Sequence, residues 1–224
     1  MCRTTVVTLI AFILALSRLI SAGELPVAKP EAAGMSSEKL ALVVPAMQVF
    51  VDEEKVAGAI TIVARNGKVV FFEAVGSANI DSGKPMKRDT IVRIYSMTKP
   101  ITSVAVMMLV EDGQLALDDP VAKHLPEFED VKVFAGVDGS ELQLAEPERA
   151  MTIRDLLRHT SGLTYGFFGN TAVDQRYRRA DVLSNRGTLA DMVTKLGHLP
   201  LLYQPGTRFH YSVSTDVLGR VSPP

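Results

Sequence analysis

One stretch of the chain sets a polar head, Tyr95-Ser96-Met97-Thr98-Lys99-Pro100, in front of an apolar run from Ile101 to Val110. Ile101, Val104, Ala105, Met108 and Leu109 recur at i, i+3, i+4 spacing, while Val106, Met107 and Val110 fill the opposite side. A helix that is apolar on every side is one that is covered on every side, so the pattern predicts a helix buried nearly all round. Proline lacks an N–H and is tolerated only in the first helical turn, so Pro100 predicts a start near Ser96. Gly113 follows as a residue able to close the helix in the left-handed conformation.

The segments before it are patterned as a helix and a hairpin. Met35-Ser36-Ser37-Glu38 offers an N-cap serine to Leu40, Val43, Val44, Met47 and Val51 at helical spacing, with Pro45 predicting a kink or a late start. Two runs rich in β-formers, Ala59 to Arg65 and Lys68 to Val75, flank Asn66-Gly67, the strongest short hairpin signal. After the apolar helix, Leu117-Asp118-Asp119-Pro120-Val121 predicts a short helical start, and Glu129 to Arg149 reads as an acidic, glycine-containing loop. Thr152 caps a predicted helix that ends at His159, and Thr188 to Leu196 predicts another. Tyr165 to Asn170 is aromatic and glycine-rich. Pro205-Gly206 makes a turn ahead of Phe209-His210-Tyr211-Ser212, and Thr215 to Val221 has the last helical pattern.

Residues 1–23 follow a different logic. Arg3, the apolar stretch Val6 to Leu16 and the small-residue exit Ser21-Ala22-Gly23 are laid out as a secretory signal peptide. The expectation is therefore a secreted or periplasmic protein whose body, residues 24–224, is one domain without stable membrane association. Left uncleaved, the segment would be a membrane anchor, although the apolar run is short and Arg18 interrupts it.

Composition narrows the function classes. The chain has 224 residues, 47% of them hydrophobic and 22% charged, as in an ordinary globular protein. A formal net charge of −1 gives no basis for nucleic acid as a partner. Four histidines without metal-ligand spacing and a single cysteine, Cys2, leave no reason to expect a metal, a cofactor or an internal disulfide.

The chemistry then falls on Ser96 and Lys99. Three residues apart on a helix, they share a face one turn apart. A serine hydroxyl becomes a nucleophile only when a neighbour takes its proton, and Lys99 can do so only if burial strips its own. Tyr211, just past the Pro205-Gly206 turn, is the sequence's best third member for relaying that proton. Spacing alone leaves an alternative open, with Ser96 a helix cap and Lys99 a surface charge. Ser36-Ser37-Glu38-Lys39 matches the same Ser-x-x-Lys spacing and reads as a cap. His159 reads as an organiser of a helix end, Arg176, Arg178 and Arg179 as a solvated face or lid, and Tyr165, Phe167 and Phe168 as an acyl-pocket wall or core.

Four ordered segments carry a resemblance: Arg93 to Thr102 with its Ser-Met-Thr-Lys, Leu117 to Val121, Leu156 to Leu163 with its His-Thr-Ser-Gly, and Pro205 to Ser212. Together they resemble the serine β-lactamase-related hydrolases: class C β-lactamases, D-Ala-D-Ala carboxypeptidases and, closest, family VIII carboxylesterases. The resemblance implies an α/β (α+β) fold, with an antiparallel sheet flanked by helices and a helical domain beside it. It implies Ser96 as the acylated nucleophile, Lys99 and Tyr211 as the proton-handling pair, no cofactor, and a small-molecule ester, amide or lactam as substrate. Two departures qualify this. Val213 stands where lactamase-like members carry the asparagine of Tyr-x-Asn, which favours esters. The chain also ends at Pro224 without the strands that follow in family members and complete both sheet and oxyanion hole. The expectation is a truncated member, either an esterase through Ser96 or a non-catalytic remnant, with β-lactamase or carboxypeptidase activity as the further alternative.

Overall fold

The computed structural model describes residues 24–139 and 141–221; the stretch read as a signal peptide lies outside them. No helix among the described residues is long and apolar enough to cross a membrane. The chain divides into two compact units, Met1–Arg93 and Ile94–Pro224.

In the first unit, Ser36 caps helix α1 (Ser37–Ala41), its hydroxyl accepting from the Lys39 N–H at 3.2 Å. The Ser-x-x-Lys spacing there is a cap, as the sequence predicts. Helix α2 (Val43–Asp52) begins just ahead of Pro45, which therefore sits in a first turn, and packs on strand β2. Strands β1 (Gly58–Arg65) and β2 (Lys68–Asn79) form an antiparallel hairpin, with Arg65 opposite Lys68. Asn66 and Gly67 both take positive φ, 53° and 67°, as a two-residue turn of this twist requires. Gly76 is needed where the strands close up, because its φ is 75° and a Cβ would lie 2.5 Å from the Ala57 carbonyl oxygen. A short β3 (Lys84–Pro85) adds to the far side of β2, leaving β1 as an edge strand with Ile62 exposed.

The second unit carries the larger core. Helix α3 (Thr98–Glu111) follows a 3-10 turn over Tyr95–Met97. After it come strands β4 (Val133–Asp138) and β5 (Glu141–Ala145), then helices α4 (Ile153–Arg158), α5 (Ala172–Arg179), α6 (Leu189–Gly197) and α7 (Ser214–Leu218). Val121, Ile153, Leu156, Leu163, Val173, Leu196, Leu201 and Val217 are buried in one contiguous core. Three of these helices open with a threonine capping box: Thr152 with Asp155, Thr171 with Asp174 and Thr188 with Asp191.

Two expectations are corrected, and one helix falls where none was expected. Glu129 to Arg149 is not a bare loop: β4 and β5 pair antiparallel within it, and the alternation Glu141-Leu142-Gln143-Leu144 was the unread signal. Helix α5 falls in a stretch so polar that periodicity missed it, although its cap, Thr171, and Asp174 were in plain view. Helix α3 is not buried all round. Val106 is covered, but Ile101, Val104 and Met108 are 62%, 60% and 58% exposed, because the described residues cover one side of the helix and leave the other open.

Asp155 is the polar centre of this core. Only 3% exposed, it accepts two hydrogen bonds from the Arg149 guanidinium, at 2.6 and 2.8 Å, and one from the Thr160 hydroxyl at 3.0 Å. It also accepts from the N–H and hydroxyl of Thr152. Burial pushes its pKa up, but these donors outweigh burial and hold the carboxyl below the usual range. Asp155→Ala leaves the Thr160 hydroxyl and the Thr152 N–H without their acceptor, while Arg149, 46% exposed, turns to solvent, so it is expected to destabilise the unit by about 1–3 kcal/mol, read from denaturant unfolding. Because the folded-state pKa is depressed, this stabilisation is present above the unfolded carboxylate pKa and is lost as pH falls through the folded one.

Candidate active site

Ser96 sits in the 3-10 turn rather than inside the helix. Tyr95 ahead of it takes φ 44°, a left-handed conformation that a tyrosine holds only where its surroundings impose it. Ser96 caps nothing: neither that turn nor α3 has a side-chain cap. Its Oγ instead accepts a hydrogen bond from the Tyr211 hydroxyl at 2.8 Å. Lys99 stands one turn on, in the first turn of α3 with Pro100 beside it. Its Nζ lies 4.9 Å from the Tyr211 ring centroid and 5.6 Å from that of Tyr165. The three residues singled out from sequence, Ser96, Lys99 and Tyr211, are thus brought together from positions 115 apart in the chain.

Tyr211 is placed by the backbone on either side of it. The His210 N–H donates to the His159 carbonyl at 2.8 Å, and the Gly206 N–H to the Thr160 carbonyl at 2.7 Å. His159 ends α4 in the left-handed conformation, φ 55°, and its Nδ1 accepts from the Ser212 N–H at 3.3 Å. Its ring packs on Tyr211 with centroids 4.7 Å apart. This is the helix-end role the sequence predicts for it. Burial, helped by Lys99 and His210, lowers the His159 pKa, so the ring is a neutral acceptor. Beneath the site, the hydroxyls of Ser161, Ser214 and Ser212 form a buried chain with 2.7 Å links. Gly162 is obligatory beside it, because φ is 86° and a Cβ would run into the Tyr203 carbonyl oxygen.

Burial lowers the Lys99 pKa, but the Tyr165 and Tyr211 hydroxyls more than offset it, and the net shift is upward. The upward shift favours the Lys99 ammonium over the neutral amine. The Tyr211 phenol shifts the other way, held below its usual value first by Ser96 and then by Lys99, against burial.

A cavity of about 390 Å³ opens on Ser96 and Lys99 and is walled by Thr102, Tyr165, Leu189 and Asp216. Sequence reasoning missed Asp216. Its Oδ2 is buried without a hydrogen-bond partner, and burial raises its pKa although Lys99 pulls the other way. The available signal was an acid inside the otherwise buried stretch Thr215 to Leu218. Tyr165, read from sequence as acyl-pocket wall or core, lines this cavity; its phenol neighbours both Lys99 and Asp216, and burial raises its pKa. Arg178 is exposed, as are Arg176 and Arg179, but its guanidinium also donates to the Gly166 and Gly169 carbonyls and to Asn170 Oδ1 and so clamps the aromatic loop. Among the described residues, no group of three or more His, Cys, Asp or Glu is placed to hold a metal ion.

Mixed α/β architecture with antiparallel sheets is the fold of the serine β-lactamase-like hydrolase superfamily. The chain belongs to the β-lactamase family, whose model matches residues 43–222. Esterase EstB of Burkholderia gladioli is 40% identical over 171 residues, which are 75% of this chain and 41% of that one. Among solved structures, EstCE1, a hydrolase with promiscuous acyltransferase activity, superposes with a TM-score of 0.67 at 33% identity, over 82% of this chain and 46% of its own. The simvastatin synthase LovD of Aspergillus terreus gives a TM-score of 0.65 at 25% identity, over 83% of this chain and 46% of its own. The chain spans less than half the length of these relatives.

Lys99→Met and Ser96→Ala are each expected to raise the titration midpoint of Tyr211, since each removes a group that favours the phenolate. NMR of protein carrying ζ-carbon-labelled tyrosine measures it directly. An unmoved Tyr211 resonance in both variants would refute the coupling.

Proposed function

We propose that this chain carries the acylation chemistry of a serine hydrolase acting on carboxylic esters, with Ser96 as the nucleophile. The observation that carries the reading is the Tyr211 hydroxyl on Ser96 Oγ at 2.8 Å, with Lys99 Nζ 4.9 Å from the Tyr211 ring centroid. In this reading the Tyr211 phenolate, stabilised by the Lys99 ammonium, takes the Ser96 proton as Oγ attacks the ester carbonyl. The phenol then returns that proton to the leaving alkoxide as the C–O bond breaks, leaving an acyl-serine. Water, deprotonated by the same phenolate, releases the acid and regenerates Ser96. Lys99 moves no proton here; its charge keeps the phenolate accessible.

An ester is favoured over a lactam by Val213. Where lactamase-like members place an amide, this side chain is fully buried in the core and offers the cavity nothing polar. The names of the relatives, an esterase and a hydrolase with acyltransferase activity, support the same substrate class. A second reading, a folded chain without turnover, draws on the open apolar side of α3 at Ile101, Val104 and Met108. Export of the protein remains part of the proposal on the pattern of residues 1–23 alone.

Turnover of p-nitrophenyl butyrate, absent with a chromogenic cephalosporin, is the expected result, and no turnover of either would favour the second reading. Ser96→Ala should abolish both turnover and labelling by a fluorophosphonate. Tyr211→Phe should lower kcat by about 10²–10⁴-fold, the worth of a positioned general base. Because the working form pairs a phenolate with an ammonium, activity should rise with pH through the depressed Tyr211 pKa and fall again only through the raised Lys99 pKa. A rising limb that does not move to higher pH in Lys99→Met would exclude this pair.

A further inference from the structure

Phe167 and Phe168 are 55% and 59% exposed, side by side, on a loop that is anything but loose. Arg178 ties its carbonyls down, and the Thr164 hydroxyl donates to Asp174 Oδ1 at 2.8 Å beneath it. Gly166, at φ 81°, lets the loop press on α5, since a Cβ there would come within 2.9 Å of the Tyr177 Cβ. Two large rings held rigidly in water do nothing for the core, and such exposed apolar surface marks a contact site. The rings are also continuous with the nucleophile. Phe168 lies 6.1 Å from Tyr211, Phe167 4.4 Å from Phe168, and Tyr165 5.2 Å from Phe167, all between centroids.

That aromatic surface leads to a second cavity, of about 200 Å³, which shares Tyr165 with the first. Its walls are Phe167, Tyr177, Val182 and Leu183, with Arg178 engaged in the loop and the exposed Asp181 at the rim. Tyr177 and Val182 are buried and belong to the core, so the back wall is fixed. The occupant follows from adjacency: the two cavities lie against the same Tyr165 ring, so a molecule held at Ser96 that reaches past this ring enters a space of small-molecule size. We propose that this chamber takes the apolar part of the ester, alkyl or aryl, so that the site selects longer apolar esters over short-chain ones. The proposal rests on the reading of Ser96 as nucleophile only for which molecule arrives, not for whether the chamber binds it.

The test uses the full chain carrying Ser96→Ala, which keeps the walls of both cavities and cannot form an acyl-enzyme. Calorimetry follows binding of intact p-nitrophenyl esters from acetate to octanoate, and of alkyl butyrates of rising alcohol length. In one of the two series Kd should fall roughly three- to fourfold per added methylene, the worth of burying a CH₂. The series that responds tells whether acyl or alcohol part enters. Adding Leu183→Trp, which fills the chamber from its exposed wall, should flatten that dependence, and Phe167→Ala should weaken it, with melting curves unchanged. Kd independent of length in both series would overturn the proposal, as would a dependence that survives Leu183→Trp. Failure of the nucleophile reading shows separately: the wild-type chain would then take up fluorophosphonate no faster than Ser96→Ala, while the binding series still decides the chamber.

Discussion

The buried carboxylate of Asp155 is the constraint on which the site hangs. It closes the capping box of α4, holds Arg149 with two hydrogen bonds, and fixes Thr160 just beyond the helix end. The carbonyls of His159 and Thr160 then receive the N–H groups of His210 and Gly206. The segment that bears Tyr211 is therefore registered against α4 by main-chain bonds, and the phenol reaches Ser96 as a consequence. Such a position depends on backbone geometry rather than on a flexible side chain finding a partner. That is how a hydroxyl–hydroxyl contact between residues so far apart in sequence can be held to hydrogen-bond length.

Lys99 shows why burial by itself does not decide a proton's place. Desolvation acts on Lys99 in the direction the sequence suggests, toward the neutral amine. Two phenols at its side reverse the outcome, because a hydroxyl oxygen can accept from an ammonium, whereas an apolar wall cannot. The same pairing works in the opposite sense on Tyr211, where the cation favours the anion. The contact between the two groups therefore contributes to both shifts, alongside Ser96 at Tyr211 and Tyr165 at Lys99.

What could be read from the sequence was what short-range rules control. Asn66-Gly67 dictated a hairpin because few dipeptides accept two consecutive positive φ angles, and Thr152 and Thr188 marked helix starts because only a side-chain oxygen satisfies those free N–H groups. Ser96, Lys99 and Tyr211 were legible through motif order, not through any local pattern linking residue 96 to residue 211. Asp216 was not legible, since nothing in Thr-Asp-Val-Leu says that a cavity and an ammonium lie beside the acid. Nor was the clamp made by Arg178: an arginine in Arg176-Tyr177-Arg178-Arg179 looks solvated until the loop carbonyls that it caps are in place. The open side of α3 failed for the converse reason. Periodicity reports what a helix could bury, while exposure depends on which partners are present.

Tyr165 is where recognition and proton chemistry meet. Its ring stands between the cavity at Ser96 and the aromatic chamber, packs 5.6 Å from Tyr211 between centroids, and lies under the Lys99 ammonium. Its phenol is also one of the two hydroxyls that keep Lys99 charged. An apolar group that enters the chamber must press on this ring and expel water from beside it. Removing water strengthens the interaction of the ammonium with both phenols, since the local dielectric falls. A substrate that fills the chamber would then find the phenolate of Tyr211 better stabilised than one too short to reach it. Chain length would in that case act on kcat as well as on KM, because the wall that recognises the apolar group is also a ligand of the charge that activates Ser96.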